Sequence, residues 1–317
     1  MGKETLGSIA QKAGCSVSTV SRVLGGNAGK YRISQKTIDR ILKMAREADY
    51  TPSLLAKGLR MQKSYTLGLV LPSFENPFFA QIASILVRNA KEYGYQIIVA
   101  DTQEDESNED RNISALKARG VDGLIIMPCS SEPDKYQKLI AKGTPLVLVD
   151  RGFPSECGLS MVSTDNFAGA VIATEHLIRA GHKAIVYLQG NPRMSPSKAR
   201  KEGYIHAMTA HGLADRIQVC GNDFSIQNGY LETRMLLSRK ERPTALFAGS
   251  NQILLGCMKA VKEAGLDIPG DLSIVTFDDN VMFDYLDPGI TSIAQPVEEM
   301  SKLALKILIE SIESDTI

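Results

Sequence analysis

From Thr66 onward the chain repeats one pattern, and that pattern leaves few folds open to it. Apolar runs of about five residues recur as TLGLVL, YQIIVA, GLIIMP, PLVLVD, AIVYLQ, TALFAG and SIVTF. Between them lie amphipathic stretches such as PFFAQIASILVRNAKEYG, DESNEDRNISALKARG, NFAGAVIATEHLIRAG and SNQILLGCMKAVKEAG. A run that stays apolar throughout, rather than alternating, is covered on both faces, as parallel strands with helical crossovers are. Gly94, Gly120, Gly181 and Gly265 stand where a helix must stop before the next strand, matching C-cap chemistry. The number of βα units predicts two sheets rather than one. The helix starting near Gln295 is expected to pack back on the earlier half.

The first 50 residues contain no such run. In TLGSIAQKA, Leu6, Ile9, Ala10 and Ala13 fall at helical spacing behind Thr5 as N-cap. Gly14 ends that helix, and Ser16 caps a second one reaching about Leu24. After the Gly-rich GGNAGKYRI, Ser34 caps a third helix with the apolar stripe Ile38, Ile41, Leu42 and Ala45. Pro52 closes the unit, SLLAKGLR suits one more small helix, and MQKSY reads as a linker.

Net charge is zero over the whole chain, but the average hides a split. Residues 1–60 hold eleven Lys/Arg against four Asp/Glu, a net +7, which leaves 25 against 32, a net −7, for the rest. A basic head on an acidic body suits a module that meets polyphosphate. No run of some 18 apolar residues is present, so no membrane span is expected. The N-terminus lacks the apolar core of an export signal. Cys15, Cys129, Cys157, Cys220 and Cys257 are scattered without a CxxC pair, fitting reduced thiols in a cytoplasmic protein rather than a disulfide framework or a zinc site.

Two short helices joined by AGC, with a third behind them, suit a helix-turn-helix. On the second helix Val20, Val23 and Leu24 face inward, leaving Val17, Ser18, Ser21 and Arg22 outward or at the edge. Small side chains let the backbone approach a major-groove floor, and serine hydroxyls reach phosphates. Arg22 can donate two hydrogen bonds to guanine, and Val17 can meet a thymine methyl. A Ser-capped structural helix carrying an ordinary surface arginine is equally compatible with the bihelical unit taken alone.

The stretch TLGSIAQKAGCSVSTVSRVL resembles the head of the lactose-repressor (LacI/GalR) family of bacterial regulators. It matches at Thr5, Leu6, Ile9, Ala10, Ala13, Gly14, Ser16, Thr19, Val20, Ser21, Arg22, Val23 and Leu24. The resemblance implies that Val17, Ser18 and Arg22 read bases, while Thr5, Ser16, Thr19 and Ser21 support or contact the backbone. Three positions depart from the family pattern: Ser8 for Asp, Cys15 for Val, and Gly25 for Asn, with Asn27 as the substitute for the missing amide contact. YTPSLLAKGLR continues the likeness as a hinge helix that folds on DNA. There Leu59 takes the place of a leucine wedged into a minor-groove step. The alternative is that Leu59 is a linker residue packing on the core.

The remainder resembles the family's regulatory core, similar to type I periplasmic sugar-binding proteins. The expected fold is therefore α/β: a helix-turn-helix headpiece at 1–50, a hinge helix and linker at 51–64, and a two-lobed parallel α/β core at 65–317. Lobe 1 takes about 65–162 and 293–317, and lobe 2 about 163–292. Relatives usually continue for a further strand and helix, so a trimmed C-terminus is expected. Open α/β sheets bind ligands beyond the carboxyl ends of their strands, and candidate effector residues lie there: Phe78, Asp150, Arg151, Arg200, Phe224, Asn251, Asp278 and Gln295. Acids and amides fork hydrogen bonds to vicinal hydroxyls, arginine adds a charged donor, and an aromatic face packs a sugar's C–H surface. Asp150 as a loop cap, and Phe78 and Phe79 as core, remain alternatives.

The resemblance thus implies a homodimeric repressor of double-stranded operator DNA, governed by a sugar, sugar acid or nucleoside-like effector, with no cofactor and no metal. A transport binding protein is the runner-up, disfavoured by the head and by the absence of an export signal. No catalysis is expected. GGNAGKYR is superficially like a P-loop, but Leu24 stands where the first Gly belongs and Tyr31 follows Lys30. The four histidines lack ligand spacing.

Overall fold

The structure, a computed structural model, describes residues 4–25, 28–50 and 63–314. Two compact units divide at Ser64/Tyr65. In the first, α1 (Leu6–Ala13), α2 (Val17–Leu24) and α3 (Gln35–Glu47) surround a small core of Ile9, Ala10, Ala13, Val20, Val23 and Ile41. All three helices start at the hydroxyl residues expected: Thr5, Ser16 and Ser34 each accept a hydrogen bond from a first-turn amide. Ser8 turns out to complete a capping box. Its hydroxyl accepts from the Thr5 amide at 2.9 Å while Thr5 Oγ1 accepts from the Ser8 amide at 3.2 Å. Gly14 ends α1 at φ +55°, a left-handed conformation that costs a side-chain-bearing residue energy.

The second unit holds two parallel five-stranded sheets. The first contains β1 (Thr66–Leu71), β2 (Gln96–Asp101), β3 (Gly123–Ile126), β4 (Leu146–Val149) and β5 (Met161–Val162) in the order β2-β1-β3-β4-β5. The second contains β6 (Ile185–Leu188), β7 (Gln218–Cys220), β8 (Ala245–Ala248), β9 (Ser273–Phe277) and β10 (Thr291–Ile293) in the order β10-β9-β8-β6-β7. The two orders are the same doubly wound topology, each with a switch point beside its first strand.

Crossovers on the first sheet are α4 (Pro77–Ala90), α5 (Glu106–Ala118) and α6 (Asp134–Ala141). α7 (Asn166–Arg179) leads into the second sheet, whose crossovers are α8 (Ser195–Ala210), α9 (Ile226–Leu237) and α10 (Asn251–Glu263). The last helix, α11 (Val297–Glu313), returns to the first sheet: Met300, Ala304, Leu305 and Leu308 join Leu67, Ile125 and Val147 in one core cluster. That return was expected, and so were the seven long strands, which are buried nearly throughout apart from β2. β5, β7 and β10 were not expected; each has two or three residues and lies at a sheet edge.

Candidate functional site

In the head, α2 presents a low, hydroxyl-rich surface. Val17 is 50% exposed, and Ser16 and Ser18 lie near it at the same end, while Val20 and Val23 are buried. The Ser16 hydroxyl accepts from the Thr19 amide at 3.1 Å and lies 2.8 Å from the hydroxyls of both Ser18 and Thr19. The first turn of α2 carries no acid, so its positive end is not neutralised and suits a phosphate. At the other end the Arg22 guanidinium lies 3.9 Å from the centroid of the Tyr31 ring, contributed by the loop before α3. That stacking holds a long side chain in place on the outer face. Thr5 and Ser21 sit as expected at the cap of α1 and within α2. The candidates Asn27 and Leu59 lie outside the described residues.

In the second unit, seven of the eight candidate effector residues converge. Phe78, Asp150, Arg151, Arg200, Phe224, Asp278 and Gln295 line one narrow pocket, together with Asn76, Phe79, Pro196 and Ser250. Each comes from the carboxyl end of a strand or the helix that follows. Asp150 is the first residue after β4 and Asp278 the first after β9, equivalent positions in the two sheets. Both adopt left-handed backbone, φ +66° and +70°, which aspartate tolerates better than most residues. Edge strands hold them there: the Asp150 amide donates to Val162 O at 2.9 Å, and the Asp278 amide to Ile293 O at 3.1 Å.

The charges are closely paired. Arg151, 3% exposed, donates from Nη1 and Nη2 to the two carboxylate oxygens of Glu104, both at 2.6 Å, and from Nη1 to Pro128 O. The rings of Phe224 and Phe79 lie 5.2 and 5.4 Å from its guanidinium carbon. Burial alone would lower the pKa of Arg151, but the Glu104 carboxylate, through charge and hydrogen bonds, holds it above the usual arginine range. Arg200 donates to Asn166 Oδ1 at 2.8 Å and Gly249 O at 2.6 Å, packs 3.6 Å from the Phe277 centroid, and places Nη2 3.8 Å from Asp278. Gln295 Nε2 donates to Asp278 Oδ1 at 2.6 Å. Burial pushes the Asp150 carboxyl up to about 6 against the lowering pull of Arg151 and Arg200.

After this pairing, Asp150 Oδ1, Arg151 Nε and Gln295 Oε1 are buried without a hydrogen-bond partner among the described residues. Buried polar groups left so cost about 1–3 kcal/mol each, and here they stand in one pocket as two acceptors and a donor. A polyol supplies the complement, and the flanking rings suit its C–H face.

Asn251 departs from the expected set. It starts α10 and is 3% exposed with both amide atoms unpaired, but the pocket wall at this point is Ser250, the N-cap of that helix. Phe224 acts differently from a bare stacking platform, because it also lies against Arg151. It fits only because residue 190 is glycine: a Cβ there would stand 2.2 Å from the Phe224 ring.

Reasoning from sequence also missed Asn76 and Glu104. Asn76 carries a readable signal, since it precedes Pro77 and caps α4 through a 3.0 Å bond from the Phe78 amide. Glu104 carries none, being one acid in the run DTQEDE. Among the described residues no His, Cys, Asp and Glu cluster is arranged to hold a metal ion, and no helix is long and apolar enough to cross a membrane.

A helix-turn-helix preceding a two-sheet α/β unit with a polyol-type pocket at its strand ends defines a ligand-responsive DNA-binding regulator. The chain belongs to the lacI family of bacterial regulatory proteins: residues 5–53 match that family's profile, and residues 64–309 match the periplasmic binding proteins and sugar binding domain of the LacI family. It is 32% identical over 311 residues to the ribose operon repressor of Haemophilus influenzae, covering 98% of this chain and 92% of that one. A putative ribose operon repressor from Burkholderia thailandensis has a similar structure, with TM-score 0.71 and 33% identity over 79% of this chain and 94% of that one. The Lac repressor dimer bound to operator and an anti-inducer has the same fold, with TM-score 0.88 and 24% identity, covering 100% of this chain and 94% of that one.

Proposed function

We propose that this protein is a cytoplasmic repressor, not an enzyme, whose operator affinity is set by a small neutral sugar, D-ribose being the first candidate. The observation that carries this is the pocket in which Asp150 Oδ1, Arg151 Nε and Gln295 Oε1 converge unpaired between aromatic walls. The relatives named as ribose operon repressors support the choice of ribose.

On this reading residues 1–50 bind DNA, with Thr5, Ser16, Val17, Ser18, Thr19, Ser21, Arg22 and Asn27 at the interface. Residues 51–64 form the hinge, with Leu59 as its wedge. The two lobes of 65–317 take the effector, and Asn251 acts from behind Ser250, where its unpaired amide can reach a ligand through water. Two copies read a pseudo-palindromic site, and the sugar acts through its different affinity for the DNA-bound and free states.

A thermal-shift screen of the full-length protein against neutral aldoses, sugar acids and nucleosides tests the effector. A sugar that binds the native state stabilises it by about 2.7 kcal/mol at a hundred times its Kd. The hit, added to a gel shift on an operator selected from random duplexes, is expected to release DNA. A screen in which only nucleosides raise Tm overturns the sugar assignment.

Arg22→Ala is expected to lower operator discrimination by about 1–3 kcal/mol at one base pair while keeping salt-sensitive non-specific binding. Unchanged preference among single-substituted operators, measured at fixed salt, would remove Arg22 from base reading.

A further inference from the structure

We propose that Glu104 sets the charge selectivity of the pocket, neutralising Arg151 so that the site takes an uncharged sugar and rejects carboxylated and phosphorylated ones. This rests on the sugar-binding reading above and names the chemistry that reading leaves open. Carboxylates and phosphates are gripped by the two-pronged face of a guanidinium. Neither pocket arginine has that face free. Glu104 occupies both terminal nitrogens of Arg151, leaving only Nε without a hydrogen bond, 3.8 Å from Asp150 Oδ2. Arg200 spends Nε on Asn166 and Nη1 on Gly249, and its Nη2 faces Asp278.

With Asp150 and Asp278 also in the wall, an anionic ligand meets at least as much negative as positive charge at the point of contact. The wider cleft outside carries Glu75, Asp101, Asp105, Glu106 and Asp223 against Arg193, so the approach repels anions as well.

Glu104 is placed for this role by its backbone. It follows β2 on a loop where Gln103 and Glu104 both adopt left-handed backbone, φ +54° and +57°. Two consecutive side-chain-bearing residues in that region are strained, and such strain persists only where neighbours impose it. Asp101 Oδ1 accepts from the Gln103 amide at 2.8 Å, and the Glu104 amide donates to Pro72 O at 2.9 Å. These bonds turn the carboxylate inward onto Arg151, although the Glu104 side chain itself is 42% exposed. Glu104 touches the guanidinium rather than the ligand pocket, so it is a positioning residue.

The test is isothermal titration of the full-length protein, at fixed ionic strength, with D-ribose, D-xylose and D-glucose and with the aldonate and terminal phosphate of each. The wild type is expected to bind at least one aldose and to bind its aldonate and phosphate roughly 100-fold more weakly or worse, as like-charge contacts dictate. Glu104→Gln keeps the side chain's shape and is expected to narrow that ratio by roughly tenfold or more, with the aldose affinity changing less. A purely structural role for Glu104 would weaken all ligands together and leave the ratio unmoved.

The proposal is overturned if the wild type takes an aldonate or phosphate as well as its aldose, or if Glu104→Gln leaves the ratio unchanged. Where Glu104→Gln fails to fold, the wild-type ratio still decides, and Glu104→Asp, which keeps the charge, is expected to retain the rejection of anions. A wild type that binds none of the aldoses overturns the sugar reading itself, an outcome distinct from an aldose bound without charge selectivity.

Discussion

Arg200→Met is expected to lower the stability of the second unit by about 3–5 kcal/mol and to abolish the sugar response, because it leaves the buried Asp278 carboxylate without its cation. Arg200 is 3% exposed and makes two short hydrogen bonds, to Asn166 and Gly249, that join α7 and the end of β8. Methionine keeps the bulk over the Phe277 ring but removes every donor. Asp278 would retain only the Gln295 amide, since Arg151 is engaged by Glu104 and, through Nε at 3.8 Å, by Asp150. The loss is therefore electrostatic rather than one of packing. Adding Asp278→Asn to Arg200→Met is expected to restore part of the stability, since replacing both members of a buried pair costs far less than removing one. Urea unfolding monitored by circular dichroism measures the first effect, and sugar titration the second. A fall below about 1 kcal/mol for Arg200→Met, the range of an exposed ion pair, would mean that water screens this pocket.

The second large effect depends on pH. The Asp150 carboxyl, pushed up to about 6 by burial, binds its proton more tightly in the native chain than in the unfolded one. Its contribution to stability is fully present below the ordinary carboxylate range and is lost as pH rises through about 6. At neutral pH the ionised form costs the sugar-free protein on the order of 3 kcal/mol, from roughly 1.4 kcal/mol per pKa unit.

Asp150→Asn removes that cost, because a neutral amide occupies the place of the protonated acid. The variant is expected to be more stable than wild type at pH 7.5 and nearly equal to it at pH 4, and to bind sugar weakly at both. Urea unfolding of both proteins at the two pH values reads this group together with the carboxylates coupled to it, since titrating residues remote from Asp150 cancel in the difference. The same stability difference at both pH values would show that Asp150 does not titrate in this window. Stability is given up for an acceptor held ready, a pattern common at functional sites.

Much of this architecture is legible in the residue order. Six of the seven long strands declare themselves because both their faces are covered, so the apolar run is unbroken; β2, at a sheet edge, is only half-buried. The head declares itself through caps: Thr5, Ser16, Gly14 and Ser34 each satisfy a backbone group that a short helix cannot satisfy internally. Strands β5, β7 and β10 are not legible, since two or three residues at an edge are too few to show periodicity. Yet β5 and β10 hold the amides of Asp150 and Asp278, so the weakest sequence signals anchor the centre of the pocket.

Local spacing along the chain settles which stretches are strands, where helices begin and stop, which face of α2 is kept small, and which residues stand just past a strand end. Those properties depend on neighbours within a few positions, so the order of residues encodes them directly. Which charges meet is settled only by the folded chain. Glu104 and Arg151 are 47 residues apart, and Gln295 and Asp278 are 17 apart. Nothing in the spacing of acids along a chain says which arginine each will neutralise. Each pairing comes from crossovers that bring strand ends distant in sequence to the same end of one sheet, those of β2 and β4 for Glu104 and Arg151 and those of β9 and β10 for Asp278 and Gln295.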